Sequence, residues 1–142
     1  MGLDLGTKTV GVAISDALGM TGQPITTIRR TNLKADLLAL RVLAQENEVT
    51  HIVIGFPLNM NGSEGPRAQA TREFAALVEK QLGLTVELWD ERLTTVSAQR
   101  VLIEANLSRE RRKGVIDTVA AAIILQGWLD AHAVNKPHEE ES

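Results

Sequence analysis

The chain contains no cysteine and no tyrosine, and only two phenylalanines and two tryptophans among its 142 residues. The absence of cysteine excludes disulfides, thiolate metal sites and a cysteine nucleophile, and it fits a reducing compartment. With so few aromatic side chains, a core has to be assembled from Leu, Ile, Val and Ala. Hydrophobic residues make up 44% of the chain, which is enough for one. No apolar run approaches the ~20 residues of a membrane span. The opening residues MGLDLG lack the basic and long apolar stretches of a secretory signal. These absences point to a soluble, cytoplasmic protein with no membrane partner.

An excess of positive charge is also lacking. The formal net charge is −3, which taken alone argues against a nucleic-acid partner. The distribution of charge says more. Glu139, Glu140 and Glu141 fall in the tail KPHEEES, which reads as disordered, and without them the chain is neutral. Positive charge gathers at Arg29, Arg30 and Lys34, and again at Arg109, Arg111, Arg112 and Lys113. Each cluster is either a solvated face or a contact for a polyanion. The length fits one domain, expected over residues 1–134, with 135–142 as the acidic tail.

Turn residues and hydrophobic periods give an element order of β-β-β-α-β-α-β-α-α. LDLG, TVGVAIS and ITTIR read as a three-stranded antiparallel meander. Asn32 can cap a first helix whose Leu33, Leu37, Leu40 and Ala44 recur at helical spacing. HIVIGF is a buried strand that leads into the loop PLNMNGSEGP. A second helix runs from Arg67 to Leu82, with Gly83 at its C-terminal end, and LTVELW forms the next strand. A third helix is expected from Thr94 or Thr95 to about Ala105. A basic loop follows over Ser108–Gly114, and a last helix runs from about Ile116 to Ala133. Strands separated by helices imply parallel crossovers. The expected fold is therefore α/β: a mixed five-stranded sheet, with the meander plus two parallel strands, flanked by helices on both faces.

Three places stand out chemically. Asp4 shares a strand face with Gly2 and Gly6, opposite Leu3 and Leu5, so its carboxylate sits in an open notch. An Asp among apolar strand residues is unfavourable unless paired or bound to metal. DERLTT, residues 90–95, lies at a strand end, where ligands bind in open sheets. Strand parity does not choose between its adjacent acids. Asp90 shares a face with Leu84, Val86 and Leu88, and Glu91 shares one with Thr85 and Trp89. Arg92 and Thr94 there could equally form a salt bridge and a helix cap. Asp117 is placed at the start of the last helix, where capping and the helix dipole already favour it. It also lies on the stripe Asp117, Ala120, Ala121, Ile124 and Trp128, which points at the sheet. Carboxylates converging without Cys or paired His favour a hard cation, Mg²⁺ or Mn²⁺, over zinc. Two such ions support phosphodiester hydrolysis. His51, His132 and His138 read as structural or solvated.

GLDLGTKTVGVAISD, GFPLNMNGSEGPRA, LWDERLTT and KGVIDTVAAAIIL resemble, in order, the four signature blocks of the YqgF (RuvX) family. They reach from Gly2 to about Leu125. The family is described through Holliday junction resolution or pre-16S rRNA processing. The resemblance implies an RNase H-like fold and a metal-dependent nuclease. It maps an acidic triad onto Asp4, Glu91 and Asp117, and so favours Glu91 over Asp90. It also implies nucleic-acid contacts at Lys8, Asn59, Arg92, Thr94 and Lys113, with structured RNA or branched DNA as partner. Family members carry several more residues ahead of GLDLG, which implies a short first strand here.

Two other classes compete. Sugar kinases and actin-like ATPases share a DLGT hairpin, but need two such domains and leave DERLTT unexplained. A non-catalytic nucleic-acid-binding scaffold would not need all three acids. Junction resolution calls for two symmetric sites, so a homodimer is an open alternative. Its surface could include the last helix, which is apolar from Val119 to Leu125.

Overall fold

Runs of β-branched and leucine residues broken by Gly and Pro fold as their pattern predicts. The computed structural model describes residues 1–93 and 109–135. In chain order the elements are β1 (Gly2–Leu5), β2 (Thr9–Ser15), β3 (Gly22–Arg29), α1 (Leu33–Glu46), β4 (His51–Phe56), α2 (Pro66–Leu82), β5 (Thr85–Asp90), a 3-10 turn (Glu91–Leu93) and α3 (Arg109–Asn135). The five strands form one sheet in the order β3-β2-β1-β4-β5. β1, β2 and β3 pair antiparallel, while β1, β4 and β5 run parallel. Three strand ends, those of β1, β4 and β5, therefore finish at the same edge of the sheet.

Side-chain alternation gives the sheet two faces. On one, Leu3, Val10, Val12, Ile52 and Ile54 pack against Leu37 and Leu40 of α1 and Phe74 and Val78 of α2. Leu84, just before β5, and Val86 and Leu88 within it complete this layer. On the other face Ala13 and Val53 meet Ala120, Ala121, Ile124, Leu125 and Leu129 of α3. That layer is thin because glycine and alanine line it on both sides, so α3 lies almost on the strand backbones. The apolar run of α3 is thereby accounted for chiefly by core burial.

The caps follow the residue types. Asn32 accepts the Ala35 N–H at 2.9 Å, and Gly83 closes α2 in the left-handed region at φ 69°. The last helix departs from expectation. It starts at Arg109, so the residues read as a basic loop up to Gly114 are its first turns. Arg, Glu and Lys are good helix formers, and a single interior Gly costs only ~1 kcal/mol. A cluster of like charge therefore did not mark a loop. Asp117 is consequently inside the helix, two turns from its start, where end-capping cannot explain it. The helix expected over Thr94–Ala105 lies outside the described residues.

Candidate active site

Asp4 occupies the centre of the sheet on the face that α3 covers, and only 4% of it is exposed. Its face is fixed by Gly2, two residues earlier: a Cβ there would lie 2.8 Å from the Ala121 carbonyl oxygen of α3. Each side of Asp4 carries a glycine. Across β2 its register partner is Gly11. Across β4, Leu3 pairs with Ile54, which brings Gly55 alongside Asp4. Both gaps are roofed by an acid-bearing residue. A Cβ on Gly11 would be 2.0 Å from the Asp117 carbonyl oxygen, and one on Gly55 would be 3.2 Å from Glu91 Oε1. Neighbouring strands lie about 4.8 Å apart, so the three acids straddle three adjacent strands, with Asp4 in the middle.

The two acids of DERLTT are thereby separated. Asp90 ends β5 on the α1/α2 side, opposite Phe56. It is bound by Arg92, which donates Nη2 to Oδ2 at 2.8 Å and Nε to Oδ1 at 3.1 Å. Those hydrogen bonds hold the Asp90 carboxyl below its ordinary range. Glu91 turns to the α3 side beside Gly55. Asp117 also has a protein partner: the Thr9 hydroxyl donates to its Oδ2. Nothing in the Thr9 residue type marks it in the sequence. Its place two residues before Gly11, on the same strand face, is the signal that could have found it. Next to Asp117, Thr118 bonds Thr27 of β3, which fixes the rotation of α3 over the strands.

The remaining candidates divide. Lys8 is exposed in the β1–β2 turn. Arg30 is turned inward: it donates to the Gly6 carbonyl at 2.7 Å, pairs with buried Asp36 at 3.6 Å and stacks on Phe74. Only Arg29 and Lys34 of that basic cluster are exposed. Asn59 braces its own loop, donating Nδ2 to Ser63 Oγ at 3.0 Å. Arg92, besides holding Asp90, donates to the Met60 carbonyl at 3.3 Å. Thr94 lies outside the described residues. Lys113 falls in α3 one turn before Asp117, within the eight helical residues that extend about 12 Å past it at 1.5 Å each. His51 and His132 are at the opposite end of the sheet, where both rings pack on Trp128 and His51 bonds Glu87 at 2.7 Å. There burial of Glu87 opposes its charged form, but hydrogen bonds from His51 and Trp128 outweigh that and keep its carboxyl low. The histidines of the described residues are thus structural.

The donor set at Asp4 is all carboxylate oxygen, the chain has no cysteine, and His51 and His132 lie at the opposite end of the sheet, which fits a hard divalent cation. Among the described residues, no three His, Cys, Asp or Glu side chains form a group that could hold a metal ion as they lie. Among the same residues no helix is long and apolar enough to cross a membrane.

Comparison with known proteins identifies the family and the fold. The family model described as "RuvX: Holliday junction resolvase" matches residues 1–131. A protein of Myxococcus xanthus, provisionally named a pre-16S rRNA nuclease, is 69% identical over 132 residues, covering 93% of this chain and 87% of its own. A Moorella thermoacetica protein of the same name is 61% identical, covering 92% and 93%. Among solved structures, Thermus thermophilus RuvC with a Holliday junction substrate superposes with a TM-score of 0.58 at 10% identity, covering 94% of each chain. A second Thermus thermophilus RuvC structure superposes at 0.53 and 11% identity, covering 94% and 95%. At such identity the likeness establishes the fold alone. The acid-centred glycine gaps, the sheet order and the match across residues 1–131 lead to one conclusion: this chain belongs to the RuvX family and has the RNase H-like fold.

Proposed function

We propose that this chain is a metal-dependent nuclease that hydrolyses phosphodiester bonds in nucleic acid, with Asp4, Glu91 and Asp117 holding Mg²⁺ or Mn²⁺. The observation that carries the reading is the row of gaps: Asp4 is flanked by Gly11 and Gly55, and each gap is roofed by a residue bearing another acid. Three carboxylates brought together over these gaps would repel one another, and a cation shared between them would remove the repulsion. When bound, the cation would polarise the phosphoryl oxygen and lower the pKa of an attacking water.

The chain's own residues do the rest. Asp4, rigid on the central strand, sets the position of the reacting phosphate. Asp117 gives up the Thr9 hydroxyl to join it. Glu91, on a one-turn helix at the strand end, is the least constrained of the three by secondary structure and adjusts as the substrate enters. Lys8 and the helical turn carrying Lys113 supply positive charge to the flanking backbone. Asn59, Arg92 and Thr94 complete the nucleic-acid surface, with Arg92 acting through its hold on the 59–63 loop. The substrate is a structured RNA or a branched DNA, the two kinds named for the family and its relatives.

The test is a cleavage assay with Mg²⁺ or Mn²⁺ on a four-way DNA junction, single-stranded DNA and structured RNA side by side. Asp4→Asn, Glu91→Gln and Asp117→Asn should each reduce cleavage to background with unchanged circular dichroism. Comparable turnover by all three variants would sink the site. A second reading, a binding scaffold without catalysis, draws on the engagement of Asp117 by Thr9. It requires the unaltered chain to bind these substrates yet cleave none of them at any metal concentration.

A further inference from the structure

Met60 is 93% exposed, more than any other large apolar side chain among the described residues. It does not sit on a loose loop. The β4–α2 connection folds back on itself, with Leu58 bridged to Glu64. Inside that bridge the Asn59 N–H donates to the Ser63 carbonyl at 3.0 Å, and the Gly62 N–H donates to the Asn59 carbonyl at 2.8 Å. Met60 is thus the second residue of a closed four-residue turn, and Gly62, at φ 86°, completes it. Asn61 Oδ1 accepts from Ser63 Oγ at 2.6 Å, and Glu64 is clamped by Arg72 at 2.8 Å. From outside the loop Arg92 reaches the Met60 carbonyl, and Asp90 holds Arg92 in turn.

We propose that Met60 is an apolar wedge that enters the base stack of the nucleic acid beside the phosphate being cut, with Leu93 as its flank. This rests on the nuclease reading above and specifies how that site engages its substrate. Location argues for it. The loop leaves β4 at the sheet edge where β1 and β5 also end, and the residue between Asp90 and Arg92 is Glu91 itself. The tether that fixes Met60 is therefore built on either side of a proposed metal ligand. Leu93, 67% exposed, directly follows Arg92. A braced, unbranched apolar side chain between the exposed amides of Asn59 and Asn61 suits insertion between bases, with hydrogen-bonding groups on either side. The other strongly exposed pair, Leu18 at 76% and Met20 at 65%, lies in the β2–β3 turn at the opposite end of the sheet. It has no such placement.

The experiment uses the full chain carrying Glu91→Gln, alone and combined with Met60→Ser or Met60→Leu. The probes are a four-way DNA junction and a hairpin RNA, each with 2-aminopurine at successive positions; cleavage by the Glu91 chain is run in parallel. Binding should raise 2-aminopurine fluorescence at one position next to the cut. Met60→Ser should lose that signal and roughly tenfold in affinity, the scale of one contact with a base. Met60→Leu should keep both. Because Met60 is almost wholly in water, neither variant should lower the melting temperature. Equal signal and affinity for Met60→Ser and its parent would overturn the wedge while leaving the nuclease reading intact, as would a Met60→Leu variant no better than Met60→Ser. Failure of the parent to bind either probe would overturn both.

Discussion

Gly11 and Gly55 both stand mid-sheet beside Asp4, yet a methyl group added to each meets a different obstacle. At Gly11 it would fall 2.0 Å from the carbonyl oxygen and 2.4 Å from the carbonyl carbon of Asp117. Those atoms belong to the backbone of a helix that already lies on the sheet, so only movement of α3 could make room. At Gly55 the nearest atom is Ile124 Cδ1 at 2.5 Å, the tip of a side chain that can rotate. Overpacking a core costs typically 1–3 kcal/mol, more when nothing can yield. Gly11→Ala should therefore destabilise by about 3 kcal/mol or more in urea titration, and Gly55→Ala by about 1 kcal/mol. Equal losses would mean that α3 is not seated on β2 as described. Thr9 belongs to the same scale. Nothing in the residue type marks it, and its hydroxyl meets Asp117 only because β2 and α3 come together.

At the scale of elements, the pairing of Asp90 with Arg92 joins the end of β5 to the 59–63 loop. The Arg92 hydrogen bonds hold the Asp90 carboxyl below its ordinary 3.8. A carboxyl depressed in the folded state contributes its stability above the unfolded pKa and loses it as pH falls through the folded one. The tether is thus intact at neutral pH and is released only below about pH 4. Both side chains are partly exposed, 38% for Arg92 and 21% for Asp90, so global stability should scarcely change. Amide protection at 59–63, taken relative to the intrinsic exchange rate at each pH, should fall in that acid window, and Asp90→Asn should show the lower protection already at pH 7. Exchange in Asp90→Asn that matches the parent at pH 7 would remove the tether. Element boundaries were legible where a local signal exists, as at Asn32 and Gly83. At Arg109 no such signal exists: the charge cluster carries no breaker except Gly114, and the helix propensity of Arg, Glu and Lys prevails.

For the whole molecule, the central question is what a row of acids does to stability. A ligand that binds only the folded state stabilises it by RT ln(1 + [L]/Kd), about 2.7 kcal/mol at a hundred times Kd. Mg²⁺ or Mn²⁺ should therefore raise the melting temperature of the unaltered chain by several degrees, the response expected for a domain of this size. Asp4→Asn and Asp117→Asn should lose most of that response. Scanning calorimetry with and without the metal decides it, and an equal rise in all three proteins would move the metal elsewhere.

The sequence by itself determined what depends on neighbours along the chain. Alternation in β1 put Asp4 on the face away from Leu3 and Leu5, and the 3.6-residue period put Asp117 on the stripe of α3 that meets the sheet. Both follow from backbone geometry, which every residue carries with it. Parity also set Asp90 and Glu91 on opposite faces, but it could not say which face Asp4 would share, because that depends on which helices cover which side. The family resemblance favours Glu91 without a physical reason, and only the tertiary structure supplies that reason. The parallel register of β4 with β1 and β5 brings Gly55 and Glu91 to Asp4's side, and the seating of α3 on Gly11 brings Asp117 there from more than a hundred residues away. Such contacts arise from packing between distant segments, and no local period encodes them.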